Sequence, residues 1–114
     1  EDNMRLLDAI GSDYVAVYYD AHNIVARGAT KNVYAEPQLL GKRISQVHVK
    51  NANMLLSTPG GKVEWPRLAR EFFDVGYRGW VILELDAVPD PGGSATASML
   101  TSKQYIEQVL KLSL

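Results

Sequence analysis

The sequence predicts an α/β fold with parallel strands, and three observations point to it. Residues 14–20 (YVAVYYD), 44–50 (ISQVHVK) and 80–85 (WVILEL) are strand-like runs rich in β-branched and aromatic residues. Helical sequence separates the first run from the second and the second from the third, and a repeating strand–helix order favours parallel strands whose carboxyl ends open onto one rim. Each run also carries a metal-ligating residue type at or near its end: Asp20, His48 and Glu84.

The elements follow in order. Asp2 or Asn3 caps a first helix over residues 4–10, with Leu6, Leu7 and Ile10 on one face and Gly11 in the C′ place. The first strand follows Asp13. Residues 21–30 are ambiguous, because Ile24 and Val25 start a helical pattern that Gly28 interrupts. Pro37 suits the first turn of a short helix over 37–40, ended by Gly41. The second strand has Ile44, Val47 and Val49 as its apolar residues, with Gln46 and His48 polar on one face. Residues 51–62 read as a long loop turning at Pro59-Gly60-Gly61, with a very short extra strand as an option over 53–57.

Residues 65–75 form a strongly amphipathic helix that buries Leu68, Phe72, Phe73 and Val75 and keeps Arg67, Arg70, Glu71 and Asp74 wet. Gly76 closes it, and Tyr77-Arg78-Gly79 turns into the third strand. Trp65 and Trp80 are assigned to the core. Residues 87–98, rich in Pro, Gly, Ser and Ala, make a flexible excursion. Ser102 then caps a last helix whose Tyr105, Ile106, Val109, Leu110 and Leu112 face the core.

Composition narrows the class. The 114 residues make one domain, 1–114, and 46% hydrophobic with 22% charged residues is globular rather than disordered composition. A net charge of −1 supplies no basic field for nucleic acid and no polybasic membrane patch. Absence of cysteine excludes disulfides and thiolate metal sites. No apolar run approaches the roughly 18–20 residues of a membrane span, and no targeting segment is visible, so a cytoplasmic setting is the expectation. Glu1 stands where an initiator Met is expected, which suggests processing or excision from something longer.

Asp20, His48 and Glu84 together offer oxygen and nitrogen donors to a divalent cation, and the imidazole turns the preference toward Mn, Co or Zn over Ca. From spacing alone, caps and surface ion pairs account for these residues equally well. His22 shares the face of Asp20 if the strand continues that far, with a plain Asp-Ala-His-Asn turn as the alternative. Lys50, two residues after His48, points into the same mouth to hold a substrate oxygen or an acidic neighbour, or else is a solvated lysine. Glu64 reads as a helix N-terminal carboxylate. No nucleophile triad is present.

The stretches VAVYYDAHN (15–23), GKRISQVHVKN (41–51) and GGKVEWPRLAREFFDVGYRGWVILEL (60–85) resemble the C-terminal half of the xylose isomerase-like TIM barrels. That superfamily holds sugar isomerases and epimerases and endonuclease IV. The resemblance implies that Asp20 is the metal ligand ending the fifth strand, His48 the ligand of the sixth and Glu84 that of the eighth. It implies Mn as the metal, with Mg, Co or Zn as other choices, and a sugar or polyol as substrate. Glu84 is then also a catalytic carboxylate that moves a proton next to the substrate carbonyl. His22, Asn23 and Lys50 are the implied substrate-binding residues. Asn23 stands where many members carry a histidine, and Asn51 where many carry an aspartate.

A barrel of this type takes about 250 residues. The first four strands are absent, and with them the family's fourth ligand, a Glu that is also the second acid/base carboxylate. The expectation is therefore a half-barrel of strands 5–8, completed by a homodimer or by an N-terminal half-barrel partner. The alternative is a catalytically inactive, self-associating fragment with at most a residual metal site. A nuclease reading lacks the basic surface that phosphate tracking needs, and an unrelated small α/β domain remains the bland reading.

Overall fold

A computed structural model describes residues 2–28, 33–52, 54–85 and 93–112. In chain order the elements are α1 (Asp2–Ile10), β1 (Val17–Asp20), α2 (Ala21–Ala26), α3 (Glu36–Leu40), a 3₁₀ turn (Gly41–Arg43), β2 (Ile44–Val49), α4 (Trp65–Asp74), β3 (Trp80–Leu83) and α5 (Ala95–Leu112). The strands form one parallel sheet in the order β1-β2-β3. The chain thus builds the expected α/β half-barrel pattern, and among the described residues the sheet does not close.

Alternation along the strands divides the sheet into two faces. Val17 and Tyr19 of β1 and Val47 and Val49 of β2 are buried on one face, in a core with Trp65, Leu68 and Phe72 of α4 and Ile106 and Val109 of α5. Tyr19 anchors this layer by donating its hydroxyl to the Val33 carbonyl at 2.5 Å. The opposite face carries two rows set by register, Tyr18–Gln46–Trp80 and Asp20–His48–Ile82. Trp80 is 79% exposed there and Tyr18 45%. Trp80 is therefore not a core residue: it shares the alternation of His48's face, whereas Trp65 is buried as expected.

Other differences have local causes. Residues 14–16 lie outside β1, because pairing with β2 begins at Val17 opposite Ile44. Residues 21–26 resolve as a helix because Asp20 caps it. No strand forms over residues 54–60, which turn instead, and Asn53 lies outside the described residues. Leu6, Ile10 and Phe73 are exposed, while Met4 and Leu7 make the contacts of α1 with the core. The last helix starts at Ala95, seven residues before Ser102. The Ser94 hydroxyl accepts from Ala97 N–H at its start, and Ser102 is buried inside it, receiving Leu56 N–H at 3.5 Å. Of the expected excursion, residues 87–92 lie outside the described residues.

Gly79 is required by crowding. A Cβ there would stand 2.7 Å from the Ser45 carbonyl and inside contact distance of the Tyr77 ring, whose hydroxyl donates to the Trp80 carbonyl at 2.8 Å. The turn into β3 is thereby locked to β2. Among the described residues no helix is long and apolar enough to cross a membrane.

Candidate metal centre

Asp20 does two jobs from one position. It is the last residue of β1 and the N-cap of α2, with extended backbone (φ −134°, ψ 96°). Its Oδ1 accepts Asn23 N–H at 2.9 Å, and its Oδ2 accepts the Asn23 side-chain amide at 2.7 Å. The cap satisfies an otherwise orphaned helix N–H, and the amide fixes the carboxylate's rotation.

His48 reaches the same rim from β2. Its Nδ1 lies 2.7 Å from Oε2 of Glu84 and 3.9 Å from Oδ2 of Asp20. Glu84, one residue beyond β3, is positioned by its own N–H, which donates to the Val49 carbonyl at 3.1 Å. Tyr18 stands edge-on to the imidazole with ring centroids 3.9 Å apart and planes at 80°. Such an edge contact restricts ring rotation. Sequence reasoning passed over Tyr18, although its place two residues before Asp20 puts both on one face.

Lys50 is only 8% exposed, and its ammonium sits between the two carboxylates. Nζ is 3.3 Å from Oδ2 of Asp20 and 3.2 Å from Oε1 of Glu84. The acidic neighbour expected for Lys50 is thus two neighbours. His22 lies elsewhere. The strand ends at Asp20, alternation gives way to helical geometry, and His22 falls on the buried face of α2 with Ala21 and Val25. Neither of its ring nitrogens has a hydrogen-bond partner among the described residues. Asn51, also buried, donates to the Leu55 carbonyl at 3.1 Å and shapes the loop beside the rim. Gly61 is needed opposite it, since a Cβ there would lie 2.8 Å from the Asn51 amide.

Asp20, His48 and Glu84 therefore converge from three adjacent parallel strands, with one ligand atom from each within 4.8 Å of the others. The family model described as xylose isomerase-like TIM barrel matches residues 1–106. The chain belongs to that family. No curated protein matches it.

Within a xylose isomerase-like barrel the direct pairing of the strands revises the strand assignment. β2 bonds to both β1 and β3, so nothing lies between the strands of His48 and Glu84. The strands of Asp20, His48 and Glu84 are therefore neighbours in the sheet, and the fifth, sixth and eighth places implied by the resemblance do not hold together.

The donor set fits a divalent cation. Donors held at about 2.1 Å from an ion stand about 3 Å apart when adjacent and about 4.2 Å when opposite. The separations of His48 Nδ1 from Glu84 Oε2, 2.7 Å, and from Asp20 Oδ2, 3.9 Å, are close to that range. Two carboxylates and one imidazole suit Mn, Mg, Co or Zn better than a soft ion.

Proposed function

We propose that this chain forms the metal-bearing part of a divalent-metal sugar isomerase or epimerase, with Asp20, His48 and Glu84 holding Mn or a similar ion. The supporting observation is the convergence of those three side chains at the carboxyl ends of adjacent parallel strands. The ion, when bound, polarises adjacent substrate oxygens and so acidifies the neighbouring C–H.

The residues divide the remaining work by accessibility. The Asp20 side chain is 13% exposed and held by both hydrogen bonds from Asn23, whereas Glu84 is 33% exposed. Glu84 is thus the carboxylate placed to accept a proton from carbon next to a carbonyl and return it to the neighbouring carbon or the opposite face. His48, braced edge-on by Tyr18, keeps Nδ1 beside the Glu84 and Asp20 carboxylates as the nitrogen donor to the ion. Lys50 and the exposed Asn23 are placed to meet substrate oxygens at the rim, while His22 lies behind it. Incubating a ketose with the protein and Mn²⁺ in deuterated water tests this reading. Deuterium entering the carbon next to the carbonyl supports it, with loss of about 10²–10⁴-fold in Glu84→Gln; no exchange above the Mn²⁺ blank contradicts it.

One observation favours a second reading, in which the chain alone is inactive and associates through its sheet. Tyr18 and Trp80 expose their rings on the face that bears the site, and both β1 and β3 are edge strands among the described residues. Exposed edges and apolar faces invite pairing. Two copies, with three strands each among the described residues, would bring six strands to a fold that uses eight, so a partner that supplies all the remaining strands suits the face better than a homodimer. A stable monomer in a light-scattering measurement would count against any such association.

A further inference from the structure

We propose that Lys50 competes with a divalent ion for the carboxylates of Asp20 and Glu84 and thereby sets the affinity of the site. This rests on the metal reading above and adds to it a residue that acts on loading. Nζ bridges Oδ2 of Asp20 and Oε1 of Glu84 at 3.3 and 3.2 Å, while Oε2 of Glu84 lies 2.7 Å from His48 Nδ1. The two carboxylates are thus already engaged by Lys50, His48 and Asn23. Because the lysine is 8% exposed, its charge is poorly screened and acts strongly on anything within a few ångströms.

Charge balance decides what loading requires. Two carboxylates and one ammonium leave the group at net −1 with His48 neutral. A dication at the same carboxylates beside an unmoved ammonium would meet like-charge repulsion across a few ångströms, so Lys50 withdraws from the carboxylate oxygens when the ion enters. The loaded group then carries net +1, an excess that suits a substrate oxygen gaining negative charge as the neighbouring carbon loses its proton. Lys50 therefore opposes the ion and afterwards complements the substrate. Its flexible four-carbon stem allows the movement, where the rigid fork of an arginine would not.

The test is Mn²⁺ titration followed by the electron paramagnetic resonance signal of the free ion, at fixed salt and pH, on wild type and Lys50→Met. The expected result is a dissociation constant at least tenfold lower in Lys50→Met. Equal or weaker binding by a folded Lys50→Met beside a wild type that binds overturns the proposal and leaves the metal centre standing. Failure of both proteins to bind overturns the metal centre as well. Should Lys50→Met not fold, wild type supplies the answer through reductive methylation of Lys50 read by peptide mass spectrometry. Methylation that rises at least threefold on adding Mn²⁺ supports displacement, and methylation indifferent to Mn²⁺ overturns it.

Discussion

His48 Nδ1 meets Oε2 of Glu84 at 2.7 Å across two directly paired parallel strands. The contact links residues 36 positions apart in the chain and defines the middle of the centre. Its neighbours follow from the same register: Asp20 is paired with His48 in the next strand, and Lys50 lies two residues further along β2's chain. Several consequences of this arrangement can be measured.

Asp20 serves as ligand and as helix cap, and substitution separates the two roles. Asp20→Ala loses the cap and is expected to lower stability by about 0.5–2 kcal/mol. Asp20→Ser keeps a side-chain acceptor for Asn23 N–H and should be more stable than Asp20→Ala by about that cap contribution, since both lose the Lys50 ion pair. Both should lose Mn²⁺ binding. Urea unfolding and metal titration of the two variants side by side check this; a stable Asp20→Ala would show that the cap bond contributes nothing.

His22 buries two ring nitrogens without partners among the described residues. An unsatisfied buried polar group costs about 1–3 kcal/mol, and an apolar replacement of similar size removes that cost. His22→Leu is therefore expected to leave stability unchanged or raise it by up to about 2 kcal/mol. A fall of more than about 1 kcal/mol in urea unfolding would mean that the imidazole is engaged.

Gly79 has no room for a side chain, since the Cβ would press on the Ser45 carbonyl and the Tyr77 ring. Gly79→Ala should cost about 1–3 kcal/mol by separating β3 from β2. It should also weaken Mn²⁺ binding, because Glu84 follows β3 directly. Thermal unfolding and metal titration of one sample read both effects.

Alkaline pH should loosen the chain. Burial pushes the Tyr77 hydroxyl up to about 12, and Tyr19 is raised as well by burial and by the carboxylates of Glu36 and Asp20. Both phenols keep their protons longer in the folded chain than in the unfolded one, where they ionise near pH 10. Stability from them is complete below about pH 10 and is lost as pH rises through about 12 for Tyr77. The urea midpoint should hold up to about pH 10 and then decline, less steeply in Tyr77→Phe; equal slopes would rule Tyr77 out as a cause.

Much of this was legible in the sequence, for reasons that differ by element. Helix α4 carries its whole signal locally: an early Pro66, then Leu68, Ala69 and Phe72 at helical spacing. Asp20, His48 and Glu84 could be read because each ends a short apolar run, and parallel strands bring such ends together. What escaped depends on neighbours. The start of α5 was hidden because Ala95 to Ser98 are small residues whose helicity is set by the Ser94 cap rather than by an apolar stripe. Trp80 was misplaced because hydrophobicity alone cannot say which face of β3 is covered. The barrel places implied for His48 and Glu84 do not fit because only the ladder shows β2 bonded directly to β3. Lys50's double ion pair needed the register of all three strands.

The central claim is that Asp20, His48 and Glu84 form one metal centre, and native mass spectrometry after incubation with Mn²⁺ tests it most directly. The account predicts one ion per chain in wild type and none in His48→Ala or Asp20→Ala at the same Mn²⁺ concentration. Wild type without an ion, or variants that retain it, would contradict the account.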